Sequence, residues 1–436
     1  MQSGMLESDA LERIMVMAVS GVGLLASILS WTFMGPHAQT SRAVRRYFVS
    51  FNLFLAAICA IPLMADVAVT WIVIELTTLA SVLLVSHSET RASIEAAWKY
   101  AIITLTGSSI ALLGFLILYA CEAHAGTNTF TWALLQHTFS KIPVVPGRIA
   151  VLFIIVGLGT KVGLVPMHTW LPEAYSQAPL PICILLSGGE ATAVMGVILR
   201  VVFMAEGHAA LDIGTWSVVV GLVSIGVAAI LMIEARDLVR ILAYSSIEQM
   251  GIVLVAAGIG NNGAREAAVL QLVAQGFAKA VCFFAVGGVI AMIRTSQIPK
   301  IRGLLEQSRP VSILLALGTC AMVGMPPSLL FISELSILQE GVAQGDYVTV
   351  ALLAIGLAMS FGAMTRAIIG VVSGADPTSS VSVGEIHKDP AMILRRRDWS
   401  RYAYPVGICM LFIFAIGGLG LPPHIETLLQ QVGLAS

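Results

Sequence analysis

Apolar runs recur along the chain from Ile14 to Leu421, separated only by short polar connections. A run of about twenty apolar residues makes a helix long enough to cross the hydrocarbon core of a bilayer. Only 11% of residues are charged, less than half the roughly 25% that keeps a soluble domain in water. The expected fold is therefore all-α and polytopic, with about twelve transmembrane helices. The spans are Ile14–Phe33, Tyr47–Ala65, Val67–Val85, Trp98–Ala120, Ile149–Val165, Pro181–Met204, Ile213–Glu234, Leu238–Gly260, Ala267–Met292, Val311–Leu335, Val348–Val372 and Tyr402–Leu421. Asp66 and its neighbours leave room only for a tight turn between the second and third. Met1 to Arg13 lacks the basic start of a cleaved signal, so the first span is expected to be a retained helix.

Basic residues set the orientation. Fifteen lie in or beside the connections that follow odd-numbered spans, among them Arg42, Arg45, Arg46 and the Arg395–Arg397 cluster, against four on the other side. The odd connections are thus expected in the cytoplasm and both termini outside, in a plasma (inner) membrane, which requires an even number of spans. A net charge of −1 gives no electrostatic basis for binding nucleic acid. The six cysteines are scattered, with no C-x-x-C pair, and there is no phosphate-binding Gly-rich loop, H-E-x-x-H or nucleophile elbow. No cofactor or metal is expected.

The chemistry lies in ionisable residues placed inside apolar runs: Glu75, Lys161, Glu190, Glu248, Lys279 and Glu334, with Lys99 near the start of its span. Each would cost at least about 2.5–3.5 kcal/mol facing lipid alone, so they are expected to face one another, water or a partner. Acids and amines alternating through the bilayer interior suit a proton relay; static ion pairs are the plainer alternative. Arg200 reads as a residue snorkelling to the headgroups, and Glu206 as interfacial and solvated.

Two spans contain helix breakers beside these charges. The fifth has Lys161 five residues before Pro166 with His168 just beyond, and the tenth has Pro326 and Pro327 before Glu334. Unwound backbone is tolerated in lipid only where protein or water satisfies it. His168 is either a proton shuttle or a donor to that unwound backbone. The third to fifth spans carry Glu75, Lys99 and Lys161; the eighth to tenth carry Glu248, Lys279 and Glu334. The same order five spans apart implies two inverted repeats. Residues 47–206 form the first and 207–373 the second, between an N-terminal helix and loop (1–46) and a cytoplasmic loop with the last helix (374–436).

The stretch KVGLVPMHTWLPEAYSQAP (Lys161 to Pro179) resembles the signature of antiporter-like, proton-pumping subunits of respiratory complex I and membrane-bound hydrogenases. ELTTLAS around Glu75, EAAWKY around Lys99, YSSIEQMG around Glu248 and PPSLLFISELSIL around Glu334 are similar to the same family, in wording nearest its hydrogenase-4 component F branch. The resemblance implies a proton-switch pair of Glu75 and Lys161 with Lys99 modulating it, and Lys279 and Glu334 as connecting and exit groups. It also implies a subunit that moves protons, or sodium, inside an oxidoreductase complex of other membrane subunits, with redox activity belonging to the assembly. The alternatives are an Mrp-type cation/proton antiporter subunit or a non-conducting scaffold. The chain departs from the family in having Gln271 and Gln275 where histidine is common, Glu190 in the span where complex I members carry lysine, and twelve spans instead of fourteen.

Overall fold

The computed structural model describes residues 9–34, 41–124, 130–373, 406 and 423–434. Four long helices come first: α1 (Ala10–Phe33), α2 (Ser41–Ala60), α3 (Val67–Val85) and α4 (Arg91–His124). A short α5 (Trp132–Thr138) leads into α6 (Val144–Val162), and α7 (Trp170–Gln177) follows a break. The next span is one rod made of α8 (Leu180–Ile184), a π-helical turn (Leu185–Glu190) and α9 (Ala191–Glu206). Then come α10 (Ile213–Glu234), α11 (Leu238–Ile259) and α12 (Asn262–Ile293). The short α13 (Leu304–Gln307), α14 (Arg309–Met322), α15 (Leu329–Ala343), α16 (Tyr347–Ser373) and α17 (Pro423–Leu434) complete the described chain.

Ten helical segments among the described residues are long and apolar enough to cross a membrane. The expected tenth span is the broken pair α14 and α15, and the expected twelfth, apart from Val406, lies outside the described residues. The tight turn between α2 and α3 is present: Asp66 caps α3 by accepting a hydrogen bond from the Val69 amide at 3.0 Å. No strand occurs among the described residues, only two isolated bridges.

Between apolar helices in lipid there is little hydrophobic drive to associate, so close backbone packing by small residues carries the contact. Helices α10 and α11 meet this way. A Cβ on Gly221 would lie 2.6 Å from the Gly251 oxygen, and one on Gly251 would lie 2.8 Å from the Gly221 oxygen. Gly188 and Gly276 do the same between the π turn and α12, at 2.9 and 3.1 Å. These contacts place three spans at the centre. The most apolar 18-residue stretch of 180–206 is wholly buried, and 89% of that of α11 and 78% of that of α12 are buried, against 33% for α16.

Candidate functional site: a buried polar axis

Both expected breaks are present, and protein groups satisfy the backbone they free. Helix α6 stops one residue after Lys161 because Gly163 turns left-handed, with φ +85°. The Trp170 indole then donates to the freed Thr160 carbonyl at 2.8 Å, and the Val165 amide donates to Ser224 Oγ at 3.1 Å. Helix α14 stops before Gly324 (φ +64°), and Gln249 Nε2 donates to the Met322 carbonyl at 3.4 Å. Unwound backbone at these depths is therefore paired rather than exposed to lipid.

Lys161 lies in the last turn of α6 with its side chain 1% exposed. Its Nζ donates to Glu190 Oε1 at 2.6 Å, to Thr77 Oγ1 at 2.8 Å and to the Ile74 carbonyl at 3.0 Å. Thr77 in turn donates to Glu190 Oε1 at 2.5 Å, and the Tyr100 hydroxyl reaches Oε2 at 3.4 Å while sitting 2.7 Å from Ser81 Oγ. Glu190 is the last residue of the π turn, a helix defect found disproportionately at functional sites.

This corrects the pairing of Glu75 with Lys161. Ile74 and Thr77 share the α3 face that meets Lys161, whereas Glu75 is turned about 100° from Ile74 toward the Ser108 hydroxyl of α4. Both Glu75 carboxyl oxygens and the Ser108 hydroxyl are buried without a hydrogen-bond partner. Lys161 is bonded to Glu190 alone of the two carboxyl groups, with Glu75 within its electrostatic reach.

Across the central rod the line continues. Gln275 Nε2 donates to Thr192 Oγ1 at 3.1 Å, two residues beyond Glu190. Gln271, Gln275 and Lys279 recur every fourth residue and form one face of α12, all 0% exposed. Lys279 Nζ donates to the Leu242 carbonyl at 2.5 Å and makes a short hydrogen bond to Ser245 Oγ. It has no ion pair among the described residues, although Glu248 of α11 lies within electrostatic range. Gln271 Nε2 donates to Gln249 Oε1 at 2.6 Å and to Glu334 Oε1 at 3.3 Å, and Gln271 Oε1 accepts from the Ser333 hydroxyl. The other Glu334 oxygen lies against Gly324, where a Cβ would come within 2.1 Å of it. Only a glycine leaves room there for the carboxyl group over the broken turn.

Thus Lys161, Glu190, Glu248, Lys279 and Glu334 are brought onto one interior axis, with Glu75 beside it. Lys99 is not: its side chain is 46% exposed and pairs with Glu95 and Glu173, each at 2.9 Å, because α4 begins well before the expected span and turns Lys99 outward. His168 sits half-buried between α6 and α7 with a buried, unpartnered Nδ1, and no described hydrogen bond or ion pair ties it to the Lys161 cluster.

Two expectations about the span ends change. Arg200 does not snorkel freely but bonds Asp9 and Glu12 at 2.6 Å each, tying α9 to the start of α1. Glu206 is not solvated: it is held at 2.7 Å by Arg265, with their side chains 9% and 5% exposed, because α12 starts directly beside the end of α9. Sequence reasoning missed Thr77, Tyr100, Thr192 and Gln249. The signal for Thr77 was the hydroxyl run of Thr77, Thr78 and Ser81 next to Glu75.

Buried acids and amines thus lie along two broken helices, set among helices long and apolar enough to cross a membrane. Residues 64–360 match the family described as NADH:quinone oxidoreductase/Mrp antiporter, transmembrane region. The chain is 30% identical over 433 residues to a hydrogenase-4 component F homolog of Methylacidiphilum infernorum, covering 97% of this chain and 87% of that one. It is 28% identical over 351 residues to NADH-quinone oxidoreductase subunit N of Desulforudis audaxviator, covering 80% and 68%. In fold it is similar to a chain of the membrane-bound sulfane sulfur reductase, an archaeal respiratory membrane complex, with a TM-score of 0.81 at 22% identity over 97% of this chain and 82% of that one. The chain belongs to the NADH:quinone oxidoreductase/Mrp antiporter membrane family.

Proposed function

We propose that this chain is the proton-translocating membrane subunit of a redox-driven complex of the hydrogenase-4 or NADH:quinone oxidoreductase type. The observation that carries the reading is Lys161, an amine shut away from solvent and bonded to Glu190 while a second carboxyl group, Glu75, stands near without partners. A buried ion pair is a weak stabiliser compared with apolar packing, so a static structural role accounts poorly for a whole axis of such groups. Moving the amine from one carboxyl group to the other changes where a proton is held. A charge arriving from redox chemistry in neighbouring subunits would bias that choice, and Lys279, Glu248 and Glu334 would take up and release the proton in the second half.

The repeats are assigned to residues 47–206 and 207–373, each with its own broken helix. The termini are assigned to the outer side of a plasma membrane from the charge bias of the connections. The uncharged Gln275, whose Oε1 is buried and unpartnered, favours the scaffold reading as the second choice, since an amide carries no proton by itself.

The test is Lys161→Met in the assembled complex reconstituted into vesicles, with proton uptake followed by a pH-sensitive dye. Uptake is expected to fall at least tenfold while electron transfer and assembly persist. Unchanged uptake by an intact complex would overturn the reading and leave the scaffold; uptake that depends on sodium in the absence of any redox partner would favour the antiporter subunit.

A further inference from the structure

The cleft between the first turns of α2 and the end of α3 is not part of the polar axis. It measures about 840 Å³ and is lined by Arg42, Arg45, Arg46, Ser50, His87 and Glu89. Arg45 and Arg46 follow Arg42 by three and four residues, so the three guanidinium groups fan over about 100° of one side of α2. Glu89 neutralises only Arg46, at 2.6 Å; neither Arg42 nor Arg45 is in an ion pair among the described residues. Three guanidinium groups against one carboxylate leave a local charge of +2. One turn deeper the character inverts: Val49 and Leu53 of α2 are 62% and 43% exposed, and Leu79 and Leu83 of α3 are 61% and 55% exposed. Of these only Val49 lines the cleft, so a cationic cleft adjoins exposed apolar surface of the same two helices, the inverse of a phospholipid with an anionic head and acyl chains.

We propose that this groove binds an anionic phospholipid, its phosphate held by Arg42 and Arg45 and its acyl chains lying along α2 and α3. Guanidinium forks bind phosphate oxygens in pairs. The charge bias of the connections places this end on the cytoplasmic side, where anionic lipids attract basic segments. The partly compensated Arg46 and the Ser50 hydroxyl complete the headgroup site.

The experiment is native mass spectrometry of the purified full-length chain, titrated with phosphatidylglycerol or phosphatidylcholine and repeated with inorganic phosphate present. Phosphatidylglycerol is expected to be retained in preference to phosphatidylcholine. The variant R42Q/R45Q is expected to weaken that retention about thirtyfold, from the contribution of each arginine near the membrane surface. The control R236Q/R240Q removes two charges elsewhere on the same side and is expected to leave retention unchanged. Equal retention of the two lipids, no effect of R42Q/R45Q, or the same loss in the control would overturn the proposal. Displacement of the lipid by millimolar phosphate would also overturn it, by assigning the cleft to the free anion.

Discussion

The placement of one amine between two carboxyl groups can be tested by a thermodynamic cycle on Glu75 and Glu190. In Glu190→Gln, Lys161 keeps the Thr77 hydroxyl at 2.8 Å and the Ile74 carbonyl at 3.0 Å but loses its carboxylate at 2.6 Å. An uncompensated buried charge costs about 3–5 kcal/mol. Glu75 directly follows Ile74 on α3 and is within electrostatic reach of Lys161, so on the proposed function the lysine side chain would turn toward α4 to meet this unbonded carboxyl group. The single change is therefore expected to cost no more than about 2 kcal/mol, within the ordinary range for one substitution. Glu75→Gln alone removes a carboxyl group that makes no hydrogen bond and is expected to cost less than about 1 kcal/mol. With both replaced, Lys161 has no carboxylate to turn to, and the full penalty of about 3–5 kcal/mol appears. Taken from the middle of that range, about 4 kcal/mol, the expected coupling is about 1 kcal/mol or more, measured by equilibrium unfolding of the four proteins in mixed micelles. Additivity within about 0.5 kcal/mol, or a full penalty in Glu190→Gln that Glu75→Gln leaves unchanged, would refute the shared amine.

Two further substitutions probe other parts of the axis. Lys279→Met replaces a buried amine whose hydrogen-bond partners are neutral with an apolar side chain of similar length, so unfolding free energy is expected to stay the same or rise; proton uptake by vesicles is expected to fall at least tenfold, and loss of stability instead would mark Lys279 as structural. Gly188→Ala forces a Cβ to 2.9 Å from the Gly276 oxygen and must push the central rod away from α12; a cost of about 1–3 kcal/mol in thermal unfolding is expected, whereas Gly226→Ala, with nothing within 4 Å, is expected to be harmless.

The sequence made legible whatever follows from hydropathy and from the local effect of proline. The helices lie where the apolar runs are, and both breaks fall beside Lys161 and Glu334 as the prolines indicated. Rotation about each helix axis was harder to read. Glu75 and Ile74 are adjacent, yet the carbonyl of one reaches Lys161 while the carboxyl group of the other faces Ser108. When a helix is apolar on most sides, no amphipathic pattern states which face meets which neighbour. Helix length had the same effect on Lys99. Helix α4 starts at Arg91, so its first turns project beyond the apolar run and leave Lys99 in reach of Glu173. Glu206 and Arg265 are distant in sequence, and their pairing depends on the neighbouring ends of two helices, which no local pattern encodes.

The central rod decides how the two halves of the axis can communicate. Residues two apart on an α-helix point in directions about 200° apart. Glu190 and Thr192 therefore face opposite sides of the same rod, one toward Lys161 and Thr77, the other toward Gln275. The rod is buried from Leu180 to Leu199, and at Gly188 its backbone touches the backbone of α12 at Gly276. Any influence passing between Lys161 and Lys279 through this contact has to cross the rod at residues 188–192. The π turn ends at Glu190, and such a turn changes helical register at that point. Glu190 and Thr192 would then move together if the turn relaxed toward α-helical geometry, because they share one stretch of backbone. A change in the Lys161–Glu190 pair is in this way tied mechanically to the hydrogen bond that Gln275 makes, even though Gln275 carries no charge. On the proposed function, the glutamine would transmit position across the rod while the acids and amines on either side supply the charge.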